Sequence, residues 1–141
     1  MKNSVDDTKD LAKCFREMSV SLGNYRFNNW IKLSDQDRSS IEGMEWTLLN
    51  YSSDFITQAV GLILDDAKAN LSQIQRAMDR ANKAISKIRT VKKVFAIGAS
   101  AAGLGAAIVV AAVTKDPGSI GAALGNLLET IKKDSEDKKK V

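Results

Sequence analysis

Between Val94 and Val113 the chain carries no charged residue, and Lys92, Lys93 and Lys115 stand at the two borders of this run. As a helix, it has about the ~20 residues needed to cross the hydrocarbon core of a bilayer. A helix that is apolar all round rests either in lipid or inside a protein core that shields it from water. Its apolarity is moderate. Val94, Phe95, Ile97, Leu104, Ile108, Val109, Val110 and Val113 each favour insertion by roughly 0.3 to 0.6 kcal/mol, whereas Gly98, Gly103, Gly105 and Ser100 oppose it. The sum lies near balance, so these eight residues are membrane-insertion candidates for a conditional span.

Small residues within the run fall on one helical face, namely Ala96, Ala99, Gly103, Ala107 and Ala111. The run ends at Thr114-Lys115-Asp116-Pro117-Gly118, where Pro117 pushes Asp116 out of helical geometry and Gly118 permits a tight reversal. A further helix is predicted over 119–133, with Ile120, Leu124, Leu127, Leu128 and Ile131 on its larger-residue face and a GxxxG spacing at Gly121 and Gly125. Residues 94–133 thus read as an apolar αα-hairpin, with Ala99, Gly103, Ala107, Gly121 and Gly125 as its helix-packing residues. The charged segment 134–141 is expected to be disordered.

Residues 1–93 read as an amphipathic helical region. Ser4 with Asp7 and Ser34 with Asp37 have capping-box spacing. Leu11, Phe15, Met18 and Leu22 form the stripe of a first helix over about 5–22, which Gly23-Asn24 should end. Phe27, Trp30 and Ile31 in the following connector are expected to fold back over a core. A second stripe runs through Ile41, Met44, Leu48, Tyr51, Phe55, Ala59 and Leu62, and a third through Ala67, Leu71, Ile74, Met78, Ala81, Ile85 and Ile88. The seam slips by one residue between them, which predicts a kink, a bulge, a change of packing partner or a loop between Gly61 and Asp66. Nearly opposite the third stripe lie Arg76, Arg80, Lys83 and Lys87. With Lys92 and Lys93 they form a basic face suited to anionic lipid, to an acidic protein groove or to a phosphate backbone.

Other chemistry is poorly supplied. The chain of 141 residues has no histidine, which removes imidazole-based nucleophilic catalysis, His-ligated zinc and pH switching through imidazole. Cys14 is its only cysteine and reads as a small hydrophobe with a weak donor. The paired carboxylates Asp6-Asp7, Asp65-Asp66 and those of the tail read as solvated surface, and no glycine-rich loop follows a strand-like segment. No enzyme activity, cofactor or metal is expected. The net charge of +4 is mild and no aromatic residue interleaves with the basic face, so nucleic acid is not an expected partner. The first residues lack the apolar run of a secretory signal. That predicts synthesis in the cytoplasm, with membrane association or signal-independent export as further routes.

The pattern predicts an all-α fold, an elongated bundle of long amphipathic helices with a C-terminal small-residue apolar hairpin. Over residues 35–133 this plan resembles that of α-helical pore-forming proteins, whose soluble form hides a hairpin that later inserts. The resemblance is one of architecture and carries no residue assignments. It implies a membrane-active protein that docks through its basic helix on an anionic bilayer and self-associates through the hairpin as a homo-oligomer. The alternative is a soluble interaction module, with the hairpin as permanent core and a helical protein as partner. If the hairpin were instead a constitutive span, the excess of Lys and Arg at 76–93 over 114–133 would keep the helical domain cytoplasmic.

Overall fold

The computed structural model describes residues 4–58, 60, 64, 71–87 and 90–140. Among these, five α-helices pack as a bundle and no strand occurs. They are α1 (Ser4–Asn28), α2 (Asp35–Gln58), α3 (Leu71–Lys87), α4 (Val91–Thr114) and α5 (Gly118–Lys140), with a short 3-10 turn at Trp30–Lys32.

The stripe of α1 is buried as its spacing predicts, with Leu11, Phe15, Met18 and Leu22 all excluded from solvent. The helix does not stop at Gly23-Asn24. It continues to Asn28 because α2 supplies partners for the added turn: Tyr25 is buried, and Arg26 Nε donates to Glu45 Oε2 at 2.7 Å. Gly23 serves that contact, since a Cβ there would stand 2.9 Å from Glu45 Oε1. The chain turns at Asn29, whose side-chain amide donates to the Tyr25 carbonyl at 2.9 Å. α2 then starts as its cap predicts, Asp37 N donating to Ser34 Oγ at 3.0 Å.

The connector between α1 and α2 departs from expectation. Phe27, Trp30 and Ile31 do not cover the core but are 79%, 45% and 94% exposed. Tyr25 and Leu33 fill the space beneath them instead, being the buried apolar residues at the two ends of this segment.

On α2 the residues Ile41, Leu48 and Phe55 are buried, and Met44 and Tyr51 are half-buried. Phe55 meets Phe15 of α1 edge to face at 4.8 Å between ring centroids. Two hydroxyls tie the same pair of helices, Ser52 donating to the Ala12 carbonyl and Ser19 to that of Glu45, each at 2.9 Å. The expected irregularity at Gly61–Asp66 falls almost wholly outside the described residues, as do Ala59, Leu62, Ala67 and Ile88. On α3 the predicted stripe is buried through Leu71, Ile74, Met78, Ala81 and Ile85.

α4 and α5 form the hairpin, reversing at a left-handed Lys115 (φ 61°) with Gly118 N donating to Asp116 Oδ1 at 3.0 Å. Ile120, Leu124, Leu127 and Ile131 of α5 are buried. α5 extends as a helix to Lys140, through the segment expected to be disordered. The run Lys138-Lys139-Lys140 has adequate helix propensity, and the preceding acidic residues continue a helix already docked on a core.

The helix directions follow from contacts along α4. Gly98 lies beside Leu22 and Met44, and Gly105 beside Phe15 and Tyr51, so α4 runs parallel to α2 and antiparallel to α1. One cleft is lined by Asn24 and Asn28 of α1 together with Ser86 and Lys87 of α3, so those two helices end together. One end of the bundle therefore gathers the α1–α2 turn, the end of α3, the start of α4 and the later turns of α5.

Candidate functional site

α4 is long and apolar enough to cross a membrane, and 44% of its apolar window is buried. The helix has two unlike faces. Val94, Ile97, Gly98, Ala101, Leu104, Gly105, Ile108, Ala111 and Ala112 face the core. Ala96, Ala99, Gly103, Val110 and Val113 face outward, the two valines being 53% and 64% exposed. The membrane-insertion candidates thus divide: Val94, Ile97, Leu104 and Ile108 are buried, Phe95 and Val109 half-buried, and Val110 and Val113 exposed.

Glycines set how closely α4 approaches its neighbours, but not the glycines singled out by the small-residue face. A Cβ on Gly105 would lie 2.6 Å from Tyr51 Cδ2 and 2.9 Å from Phe15 Cε2, and one on Gly98 would lie 2.7 Å from Met44 Sδ. At Gly103, Gly121 and Gly125 an added Cβ meets no atom within 4 Å. These three are exposed, as is Ala99, while Ala107 is half-buried. The small-residue face of α4 therefore points out of the bundle at Ala96, Ala99 and Gly103 and turns into the core at Ala111, and Gly121 and Gly125 of α5 point outward rather than at it. Sequence reading missed this because a small-residue stripe reports that close packing is available without reporting which side uses it. The hairpin itself is tied by Ser100, whose hydroxyl lies 2.9 Å from that of Thr130. Thr130 already donates to the Asn126 carbonyl at 2.8 Å, so Ser100 is the donor in this pair. The one polar side chain of the uncharged run is thereby satisfied inside the hairpin.

The basic residues lie where their periodicity puts them. Arg76, Arg80, Lys83 and Lys87 are exposed on α3, Lys92 is exposed at the start of α4, and Lys93 is half-buried beside it. Lys83 pairs with Asp79 at 3.0 Å one turn back. An exposed pair of this kind adds little stability and leaves the face cationic.

Two shallow clefts lie near the end that holds the α1–α2 turn. One, of about 440 Å³, is lined by Trp30, Arg38, Glu42 and Trp46 among others. The other, of about 460 Å³, is polar and lies between α1 and α3, lined by Asn24, Asn28, Asn82 and Lys87 among others. Cys14 is partly buried, and desolvation, followed by the nearby Glu17 and Asp10 carboxylates, pushes its thiol up to about 11. A thiol so held is a poor nucleophile at neutral pH. Among the described residues no group of three or more Cys, Asp or Glu is arranged to hold a metal ion.

The class defined by these features is an all-α bundle with one long apolar helix, half seated in the core and half facing outward. No family model, curated protein or solved structure matches this chain.

Proposed function

We propose that this is a membrane-active helical protein whose α4–α5 hairpin inserts conditionally into a bilayer and associates there with further copies. One observation carries the reading. The outward face of α4, from Ala96 through Ala99 and Gly103 to Val110 and Val113, is exposed yet has no charged residue. A helix that stays permanently on the surface of a soluble bundle carries polar residues on that side. Small side chains there, continued by Gly121 and Gly125 on α5, suit close contact between helices in lipid. The basic face of α3 and Lys92-Lys93 supply the attraction to an anionic surface. The proposed activity is binding and permeabilisation, with no catalytic step.

A soluble interaction module is the second reading, and the fit of the inner face favours it. Gly98 and Gly105 seat α4 against α1 and α2 as closely as a permanent core helix would be seated. The experiment that separates the two is flotation of the protein with liposomes of graded anionic content, together with release of an entrapped dye. Binding with leakage supports insertion. Absence of both on every composition leaves residues 94–131 as core and the outer face as a protein contact.

A further inference from the structure

The α1–α2 turn holds three large apolar side chains in water. Phe27, Trp30 and Ile31 are all exposed, and Trp46, also exposed, lines one cleft with Trp30. This segment is braced rather than loose. The Arg38 guanidinium donates through Nε to the Trp30 carbonyl at 2.9 Å and lies over the Trp30 ring, 4.4 Å from its centroid. Asn29 closes the end of α1 beneath it. Large apolar side chains close in sequence and held outward by ordered backbone suit a contact surface.

Charge identifies what the surface meets. The helix directions bring Lys32, Lys87, Lys92 and Lys93 to the same end of the bundle as this patch, while Lys132 and Glu129 on the later part of α5 offset each other. Several carboxylates at this end are matched by cations: Glu45 and Glu42 by Arg26, and Asp35 by Arg38. Asp37 lies in the first turn of α2, where it suits the helix dipole. The opposite end is less cationic, with Lys9, Lys13, Arg76 and Lys115 set against Asp6, Asp7 and Asp10 in the first turns of α1, Asp54 late in α2 and Asp116 in the hairpin turn.

We infer that this end of the bundle, with Phe27, Trp30 and Ile31 at its tip and Lys32, Lys87, Lys92 and Lys93 around it, docks on the surface of an anionic bilayer. Aromatic side chains take up the headgroup boundary, and lysines around them gain from the negative surface potential. A second copy is a worse match, because a two-fold contact through this end would press two lysine-bearing rims of like charge together. The inference rests on the membrane reading above for its partner but requires no insertion. Docked in this way, the start of α4 lies at headgroup level while the hairpin turn points away from the bilayer. Docking and permeabilisation are therefore separate steps.

The test uses the full chain with Trp46→Phe, which leaves Trp30 as its only tryptophan, and phosphatidylcholine vesicles with and without phosphatidylserine. Trp30 emission should shift to the blue on the anionic vesicles and be quenched by brominated acyl chains. A Phe27→Ser/Ile31→Ser variant should keep the wild-type melting temperature, because both side chains are exposed, and should lose about tenfold or more in vesicle partitioning. Flotation with Trp30 unshifted would mean that another face meets lipid, overturning this inference while leaving the proposed function standing. Docking without dye release would do the reverse. Wild-type protein that ignores every vesicle overturns the inference, as does a wild-type dimer that the double variant converts to monomer.

Discussion

Gly105 lies so close to Tyr51 that a methyl group in place of its hydrogen would stand 2.6 Å from ring carbon Cδ2. Phe15, fully buried and locked edge to face against Phe55, closes the same space from α1. Neither ring is the free end of a flexible side chain. The seat of α4 in the bundle is therefore set by the missing side chain at Gly105 and, seven residues earlier, at Gly98 against Met44.

Gly105→Ala should accordingly destabilise the protein by about 1 to 3 kcal/mol, the usual cost of overpacking a filled core, despite the better helix propensity of alanine. Thermal denaturation followed by circular dichroism measures it. An unchanged or raised midpoint would mean that Tyr51 moves aside at no cost and that the seam is looser than its geometry.

Gly103→Ala should act in the opposite direction. An added Cβ there meets open space, so the gain of roughly 1 kcal/mol in helix propensity is not offset by a clash. The larger Gly103→Leu should also fold with near-native stability, though the spacing pattern alone would predict a crowded seam. Loss of stability in both variants would place Gly103 in a packed interface, within the chain or between copies.

The contrast between these glycines shows what was legible in the sequence. Period and capping gave the helices: Leu11, Phe15, Met18 and Leu22 are buried as their spacing requires, and Ser34 caps α2. The uncharged run and its breaker gave the hairpin with its turn. Lateral neighbours were not legible, because a stripe of alanine and glycine is compatible with either side of a helix. The outward tip at Phe27 and Ile31 was hidden for a related reason. Aromatic residues usually enter a core, and only the backbone path through Asn29 and the 3-10 turn decides that Tyr25 and Leu33 fill it here.

The hairpin turn stores strain that can be removed. Lys115 has φ 61°, a conformation that disfavours a side chain and suits glycine at the end of a helix. Lys115→Gly should raise stability by about 1 kcal/mol, read as a higher midpoint in urea with an unchanged slope. A fall would show that the lysine side chain makes a stabilising contact that outweighs the backbone term.

Cys14 should resist alkylation. With its pKa raised from 9.0 to about 11, its thiolate fraction near pH 8 is about a hundredfold below that of an unperturbed thiol, and iodoacetamide should react correspondingly slowly. The linked stability has a definite sign. The folded state holds this proton more tightly than the unfolded state, so the contribution is complete below pH 9 and is lost as pH rises through about 11. Cys14→Ala should therefore flatten part of the alkaline decline in stability. A rapid reaction in the native state at pH 8 would show the thiol to be open and ionised.

The cations of α3 distinguish docking by the end of the bundle from docking along its side. Arg76 and Lys87 are separated by about 16 Å along the helix axis, taken at ~1.5 Å per residue. That exceeds the Debye length of about 10 Å at 0.1 M salt. If α3 lies flat on an anionic surface, Arg76→Gln, Lys83→Gln and Lys87→Gln should each remove on the order of 1 kcal/mol of binding, roughly fivefold in partition coefficient. If the end carrying Phe27 and Ile31 makes the contact, the loss should be graded, near full for Lys87→Gln and near zero for Arg76→Gln. Lowering the ionic strength should narrow the gradient, because a longer Debye length brings Arg76 back within reach of the surface. Equal losses at all three positions would assign the contact to the flank of α3, and no loss at any of them would leave the basic face to water.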